Sequence, residues 1–321
     1  MPATVTDIAI LDDDRIVPFA VEGADVRGRV VRLGPLVNDV LRRHDYPQPV
    51  SALLGEALAL TALLGSALKF DGIFSLQTKS DGPVSALIAD YVSHAKSGSG
   101  TLRGYAIYDK DRDFGNADLS FRGLIGAGHF AMTIDQGKQM DRYQGIVALE
   151  GDSLAACAQA YFQTSEQIPT AIHLAVSQLF ERPQGRDAPT ATGGAWRAGG
   201  MLIQYLPKSR LNLPPDAEFD EPEDWRRSRM LMETATDLEL TDPAIASETL
   251  LYQLFHEDGV RVFEPQALKF GCRCSRLRLE NVLRQYSRET LSELVEDGKI
   301  SANCEFCNAD YHFDMEELVT G

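Results

Sequence analysis

The sequence predicts an α+β protein with an N-terminal mixed α/β core domain, a helical linker and a small C-terminal domain. Strand-like segments follow one another without an intervening helix, which favours α+β over a doubly wound sheet. The composition changes near residue 208, and four of the five cysteines lie within the last fifty residues. These observations place the three parts at 1–207, 208–262 and 263–321.

The composition is that of a globular protein. The chain has 321 residues, of which 44% are hydrophobic, and this is enough to build a sizeable core. Its formal net charge of −16 argues against an extended nucleic-acid surface, because phosphate binding needs clustered Lys and Arg. The first segment, MPATVTDIAILDDDRIVPF, becomes acidic early and lacks the basic and apolar pattern of an export signal. We therefore expect a cytoplasmic protein under reducing conditions.

Two helices are predicted near the start of the core domain, LVNDVLRRH and the apolar run from Val50 to Phe70. The apolar run is long enough to span a membrane. It is interrupted by Glu56 and two glycines, and an acidic residue at the bilayer centre costs roughly 2.5–3.5 kcal/mol. We interpret the run as a buried helix.

Strands dominate the rest of the core domain. GIFSLQT and VSALIADYV flank the turn KSDGP and predict a hairpin. TLRGYAIYD, HFAMTID, YQGIVALEG and IPTAIHLAVS are further strand candidates, and Ser153 is placed to cap the helix SLAACAQAYFQTSEQ. The glycine clusters GLIGAGHF and ATGGAWRAGGM lack the strand, helix and acidic residue of a dinucleotide loop and the Lys-Ser/Thr of a Walker loop. We interpret both clusters as turns or loops.

The segment 208–262 predicts a linker that contains helices. It opens with LPPDAEFDEPEDW, in which six of the nine residues from Asp216 to Asp224 are acidic. WRRSRMLMETATDLEL and SETLLYQLFHED follow with helical periodicity and modest apolar faces. Helices of this length are marginal in water, so we expect them to be stabilised by packing onto neighbouring domains. The alternative is a plain acidic connection without a regulatory role.

Two close cysteine pairs give the strongest signal in the chain. Cys272 and Cys274 form a CxC pair, Cys304 and Cys307 form a CxxC pair, and 29 residues with helical periodicity separate them. Two such pairs can converge as four thiolates, which Zn²⁺ binds tetrahedrally at about 2.3 Å. The pattern leaves three interpretations open: structural zinc, redox-active zinc, or an iron–sulfur or other metal site. Catalytic zinc is disfavoured, because four thiolates leave no position for water or substrate.

The CxC spacing adds a redox interpretation. Each pair can close a disulfide locally, and each oxidation removes two metal ligands. Lys269, Arg273 and Arg276 add positive charge that favours thiolates. If zinc supplies the folding energy of this domain, oxidation unfolds it and the linker loses its support.

Two other candidate residues are assigned to structural roles. Cys157 lies in the small-residue stretch LAACAQAYF and is expected to be a buried core cysteine. His312 could ligate a metal, but four sulfurs already complete the coordination shell, so we place it at the surface or outside the ligand set.

Several segments together resemble the bacterial 33 kDa redox-regulated heat-shock chaperones, a chaperonin family. In chain order they are RYQGIV, YFQTSEQIPT, AGGMLIQYLP, FEPQALKFGCRCSR and CEFCNADYHFD, which is the order expected for the family. The resemblance covers nearly the whole chain. The resemblance implies an ATP-independent holdase chaperone, not an enzyme. It implies inactivity while the protein is reduced and holds one Zn²⁺ per chain, and activation under oxidative stress combined with unfolding conditions such as heat.

The resemblance also assigns the site. Carried over by position, the zinc ligands and redox-active cysteines are Cys272, Cys274, Cys304 and Cys307. It implies disulfides between Cys272 and Cys274 and between Cys304 and Cys307 after oxidation, with loss of zinc. The linker then becomes disordered and contributes apolar surface for unfolded client proteins, and active molecules form homodimers. No membrane or nucleic-acid partner is expected.

Two departures from the family pattern are visible. Asn308 stands where family members often have glycine, but Asn tolerates left-handed backbone geometry. The loop ERPQGRDAPTATGGAW and the acidic start of the linker bear on how tightly the linker docks and therefore on the activation threshold.

Two rival functions remain. One is a constitutive interaction protein with purely structural zinc. The other is a zinc-ribbon nucleic-acid protein, which the arginines of SRLRL and LRQYSR support. The sequence shows no nucleophile with a partner base, no paired carboxylates at a recognisable spacing and no nucleotide-binding loop. It therefore gives no indication of an enzyme.

Overall fold

The computed structural model describes residues 13–68, 70–94, 98–137, 142–180, 194–206 and 221–319. The chain divides into two compact units, Met1–Phe270 and Gly271–Gly321. The fold is mixed α and β, as the sequence predicts. The predicted three-part division at 207 and 262 stays a prediction.

One large sheet forms the framework of the first unit. Its strands are β1 (Arg15–Val21), β2 (Val26–Leu33), β3 (Ile73–Ser80), β4 (Val84–His94), β5 (Ser99–Tyr108), β6 (Gly128–Asp135), β7 (Tyr143–Ala148), β8 (Thr170–Leu179), β9 (Ala195–Tyr205), β10 (Val260–Val262) and β11 (Gln266–Phe270). Their order is β7-β6-β3-β4-β5-β11-β1-β2-β9-β8, and β10 pairs with β1. The β5–β11 pair is parallel and the other pairs are antiparallel, including the predicted β3–β4 hairpin.

Seven helices of the first unit lie in the described residues. They are α1 (Pro35–Arg42), α2 (Gln48–Ala67), α3 (Phe121–Ile125), α4 (Leu154–Tyr161), α5 (Glu223–Glu233), α6 (Asp237–Thr241) and α7 (Ser247–Phe255), and a π-helical turn, Phe162–Glu166, follows α4. Ser153 caps α4 as predicted, because its hydroxyl accepts a hydrogen bond from the N–H of Ala156 at 3.1 Å.

The helix α2 forms the centre of the main core. It packs against β2, β3, β4, β5, β8 and β9. Among the described helices it is the one with the length and composition to cross a membrane, yet 78% of its apolar window is buried inside the protein. The interpretation of this run as a buried helix is therefore confirmed, although the helix ends at Ala67, three residues before Phe70.

Part of the sheet is apolar on both faces. Along β2, Val31 lies in the core around α2, whereas Val30 lies in a second apolar cluster on the opposite face. The same alternation places Leu202 of β9 in the first core and Met201 and Ile203 in the second. Both faces of this part of the sheet must therefore be covered.

The second face is covered by α5, α6 and α7. These helices contribute buried apolar side chains to the second cluster: Trp225, Met232, Leu240, Leu250, Leu251 and Phe255. They are the helices predicted for the linker, and their modest apolar faces are the faces that pack here. Most of the acidic stretch that opens the predicted linker, up to residue 220, and the loop 181–193 lie outside the described residues.

Two buried arginines contact the last turn of α6. Arg32 is 1% exposed and donates to the carbonyls of Glu239 at 2.5 Å and Asp242 at 2.8 Å. Arg197 is 5% exposed and donates to the carbonyl of Thr241 at 2.5 Å. Carbonyls in the last turn of a helix lack partners within the helix, and a cation suits this end of the helix dipole. The arginines thus provide the polar part of α6 docking.

A glycine lets α6 approach the sheet closely. A Cβ at Gly199 would lie 2.2 Å from the carbonyl oxygen of Leu240. Gly199 belongs to the glycine cluster ATGGAWRAGGM, which we interpreted from the sequence as a turn or loop. That prediction is wrong for residues 195–201, because they form part of strand β9. Residues 191–193 lie outside the described residues. The glycines in this strand allow close packing. The sequence pattern alone does not distinguish glycines with this role from glycines in a turn.

The second unit contains little apolar core. Its elements are α8 (Arg276–Leu283), α9 (Arg288–Glu293), β12 (Val295–Glu296), β13 (Lys299–Asn303), β14 (Asp310–Asp314) and α10 (Met315–Val319), with β12, β13 and β14 in one antiparallel sheet. Four buried apolar side chains form its cluster: Leu291, Ile300, Phe313 and Leu318. A domain of this size with so small a core needs an additional source of stability.

The contacts of Arg32 generate a prediction. Replacing Arg32 with Met removes two charge-assisted hydrogen bonds, those to the carbonyls of Glu239 and Asp242, so local stability should fall by about 2 kcal/mol. Amide hydrogen exchange in residues 223–255 should then be roughly thirtyfold faster. The control is Arg226→Met, since Arg226 lies on α5 in an exposed ion pair with Glu223. Equal exchange in the two variants would contradict the role given to Arg32.

Candidate metal centre

The four cysteines of the second unit come from two short segments. Cys272 and Cys274 precede α8, and Cys304 and Cys307 lie in the turn between β13 and β14. The turn is closed by the last β13–β14 pair, Asn303 with Asp310, and by a hydrogen bond from the N–H of Cys304 to the carbonyl of Ala309 at 3.0 Å. Local pairing of two strands therefore positions the CxxC pair.

A left-handed residue completes this turn. Asn308 has φ = 55°, and its N–H donates to the carbonyl of Cys304 at 2.7 Å. Its side-chain oxygen accepts from the amide of Asn303 at 3.0 Å. Asn is among the few residues with a side chain that adopt this backbone region without large cost, which explains why the turn can form without a glycine here.

All four sulfurs converge. The Sγ atoms of Cys272, Cys274, Cys304 and Cys307 lie within 4.8 Å of one another. Individual separations are 3.3 Å for Cys272–Cys274, 3.6 Å for Cys272–Cys304 and 3.4 Å for Cys274–Cys307. Sulfurs at about 2.3 Å from one tetrahedral ion lie about 3.8 Å apart, so small adjustments would seat Zn²⁺. The predicted cysteines are brought together in an arrangement that could hold a metal ion.

Hydrogen bonds to the sulfurs shape their ionisation. Burial alone would raise the pKa of Cys272, but the backbone N–H of Cys274 and the neighbouring thiols lower this pKa to about 7. Burial raises the pKa of Cys304 and of Cys307, against opposing hydrogen bonds from the backbone N–H groups of Phe306, Cys307 and Ala309. Metal binding would require deprotonation of all four thiols, and such backbone donors stabilise thiolates.

A tyrosine that sequence reasoning missed contacts the centre. The hydroxyl of Tyr311, on β14, lies 3.2 Å from the Sγ of Cys274. The hydrogen bond to Cys274 raises the pKa of Tyr311 to about 12. The only sequence signal is a tyrosine four residues after the last cysteine, and no general pattern distinguishes it from a core aromatic residue.

Arg276, one of the three cations expected to favour thiolates, makes several contacts within the second unit. Arg276 donates to the carbonyl of His312 at 2.6 Å and to Glu317 at 2.8 Å, and it lies 4.5 Å from the ring centre of Phe313. It therefore holds elements of the second unit together. The predicted contribution of Arg276 to thiolate formation stays a prediction.

The two residues assigned to structural roles behave as expected. Cys157 is fully buried on α4, and burial raises its pKa. His312 is exposed, its Nδ1 is 2.9 Å from the hydroxyl of Ser301, and it lies outside the group of four sulfurs.

The chain is similar to known proteins over most of its length. The family model described as Hsp33 protein matches residues 14–314. The 33 kDa chaperonin of Caulobacter vibrioides strain NA1000 is 44% identical over 319 residues, which is 97% of this chain and 99% of the relative. The 33 kDa chaperonin of Pseudomonas aeruginosa strain LESB58 is 39% identical over 303 residues, covering 94% and 92%. The crystal structure of the 33 kDa chaperonin from Thermotoga maritima shares the fold, with a TM-score of 0.75, 23% identity, and coverage of 95% and 96%.

The left-handed turn generates a prediction about metal affinity. Asn308→Gly and Asn308→Val both lose the side-chain contact with Asn303, but only Val strains the backbone. A β-branched residue at this φ costs about 1–2 kcal/mol, so the Val variant should bind Zn²⁺ roughly tenfold more weakly than the Gly variant. Competition with a chromophoric chelator measures the two dissociation constants. Equal affinity would show that this turn does not limit the geometry of the site.

Proposed function

Because the chain belongs to the Hsp33 family, we propose that it is a redox-regulated, ATP-independent holdase that binds unfolded proteins during oxidative stress. The family is one of chaperones and not of enzymes, and a heat-shock chaperone acts in the stress response. The observation that carries the redox part of the proposal is the convergence of Cys272, Cys274, Cys304 and Cys307 within 4.8 Å.

In the reduced state, the four thiolates would hold one Zn²⁺. Four thiolates satisfy the soft, tetrahedral preference of zinc and leave no position for a reacting water. The cluster of four buried apolar side chains in the second unit is small, and zinc binding contributes about 10–16 kcal/mol to the folding of comparable small zinc peptides. The metal would thus supply most of the folding energy of residues 271–321.

Oxidation would remove the ligands in pairs. In each pair, two thiolates transfer two electrons to one hydrogen peroxide, the O–O bond breaks, an S–S bond forms, and two protons from solvent complete two waters. The proposed disulfides are Cys272–Cys274 and Cys304–Cys307. After both reactions no thiolate remains for zinc, and the second unit loses the energy that folds it.

The client surface would come from the linker and from the face of the sheet beneath it. Residues 208–262 form the proposed metastable linker, and α5–α7 cover the second apolar cluster. The helix α6 has five residues and cannot persist without its tertiary contacts. Release of these helices would expose their own apolar faces and the face of β1, β2 and β9 that carries Val17, Phe19 and Met201.

The partners and location follow from the same proposal. The partners would be unfolded or misfolded client proteins, and the active form would be a homodimer. The site of action would be the cytoplasm, where reducing conditions keep the thiols available for zinc before stress. No membrane partner is proposed, since the one long apolar helix among the described residues is in the core, and no nucleic-acid partner is proposed for a chain of net charge −16.

The decisive experiment measures zinc and holdase activity in one sample. The reduced protein is treated with peroxide at raised temperature while released zinc and the aggregation of an unfolding client are followed together. Loss of one zinc per chain as aggregation is suppressed is the expected result. Zinc that stays bound, with equal client binding before and after treatment, would favour the constitutive protein with structural zinc. A mobility shift of labelled RNA or DNA at physiological salt would instead favour the nucleic-acid protein.

A cysteine substitution tests the link between metal and activity. Cys304→Ser leaves three thiolate ligands, so zinc affinity should fall by at least about 100-fold and basal holdase activity should rise in the reduced protein. The matched control is Cys157→Ser, a cysteine buried in the first unit, which should retain zinc and switching. A Cys304→Ser variant with full zinc content and no basal activity would contradict the link, and loss of switching in Cys157→Ser would identify a second sensor.

A further inference from the structure

The hydroxyl of Tyr311 is placed on the candidate metal centre by the fold of the second unit. Tyr311 pairs with Ala302 across β13 and β14, and its half-buried ring packs beside the cluster that contains Ile300 and Phe313. Strand pairing and ring packing together fix the position of the hydroxyl, which lies 3.2 Å from the Sγ of Cys274. The contact is therefore a consequence of ordered core structure.

The donors to the four sulfurs differ in kind. The Sγ of Cys272 accepts from the backbone N–H of Cys274 at 3.5 Å, and the sulfurs of Cys304 and Cys307 accept from backbone N–H groups of their own turn. The Sγ of Cys274 instead contacts a side-chain hydroxyl, that of Tyr311, at 3.2 Å. A backbone donor persists through any substitution except proline, whereas this hydroxyl depends on one residue type.

The direction of the hydrogen bond follows from the state of the sulfur. A thiolate that ligates a metal has no proton to give, so the hydroxyl must donate. A donated hydrogen bond draws electron density from the sulfur, stabilises the thiolate and lowers its nucleophilicity. Attack of a thiolate on peroxide is the first step of its oxidation, so the same bond should slow that step.

We propose that Tyr311 is a positioning residue that stabilises the Cys274 thiolate in the metal-bound state and slows oxidation of the Cys272–Cys274 pair by hydroperoxides. The inference rests on the proposed zinc site and redox function. The reaction is the one given above: one thiolate of the pair attacks the peroxide oxygen and becomes a sulfenic acid. The second thiolate then displaces its oxygen as water to form the disulfide. Tyr311 exchanges no electrons and acts only through the sulfur.

The first test measures zinc affinity in the reduced full-length protein. Tyr311→Phe keeps the ring in its packing site and removes only the donor, so the zinc dissociation constant should rise by about tenfold. The control is Tyr286→Phe, because Tyr286 belongs to the same unit, is 52% exposed, and should leave the affinity unchanged. Chelator competition provides the readout. Equal affinity in Tyr311→Phe and the parent protein would overturn the proposal.

The second test separates a lost donor from a loosened fold. The zinc-loaded proteins are treated with peroxide, quenched with an alkylating agent at early times, and the state of each cysteine pair is read by peptide mass analysis. Tyr311→Phe should raise the initial oxidation rate of Cys272–Cys274 several-fold and leave that of Cys304–Cys307 within about twofold of the parent rate. Equal acceleration of both pairs would mean that Tyr311 only stabilises the fold, and would overturn the proposal.

A third variant has the opposite expected sign. A monofluorinated tyrosine at position 311 has the same shape and a more acidic hydroxyl, so it is a stronger donor and should slow oxidation of Cys272–Cys274 below the parent rate. This measurement remains informative if Tyr311→Phe fails to fold, because faster or unchanged oxidation would overturn the proposal. A parent protein that binds no zinc would contradict the proposed function. A parent that binds zinc, with no effect at position 311, would contradict this inference alone.

Discussion

A sheet that is apolar on both faces has to be covered on both sides, and most of the first unit follows from this constraint. Along β2, neighbouring valines point into two different cores, so neither face can be left in water without the cost of exposing buried apolar surface. On one side α2 provides a long cover that is buried almost all round. On the other side the cover is three short helices. The single long helix is therefore more stable by itself than the three short helices on the opposite face.

The weaker cover depends on contacts that act together. The five-residue helix α6 is docked by Leu240 in the apolar cluster, by carbonyl contacts with Arg32 and Arg197, and by the space that Gly199 leaves above the sheet. Loss of the helix would remove these carbonyl acceptors from two buried guanidinium groups, although Arg197 would keep its ion pair with Asp13. Docking of this kind is cooperative, which is the property that a segment needs if it is to be released as a whole in the proposed switch.

The second unit solves its own stability problem by a different route. Its apolar cluster is small, and four sulfurs from two segments meet where a metal ion could replace the missing core. The same sulfurs are chemically reactive, so the group that would stabilise the unit is also the group that oxidants attack. Backbone donors around Cys272, Cys304 and Cys307, and the Tyr311 hydroxyl at Cys274, show that the environment of each sulfur is specified separately. Differences of this kind would set the order and rate of oxidation.

The sequence by itself determined the features that depend on neighbouring residues. The apolar run predicted α2, the turn KSDGP predicted the β3–β4 hairpin, Ser153 marked the start of α4, and the spacing of the four cysteines predicted their convergence. The strands β1, β2, β10 and β11, the glycines inside β9, the arginine contacts of α6 and the Tyr311–Cys274 hydrogen bond were decided by the tertiary structure. Most of these features join segments far apart in the chain, as when Ala267 of β11 pairs with Ser99 of β5. The stability of such pairings comes from register and burial between distant segments, and a local pattern of residue types carries no information about which distant partner is chosen.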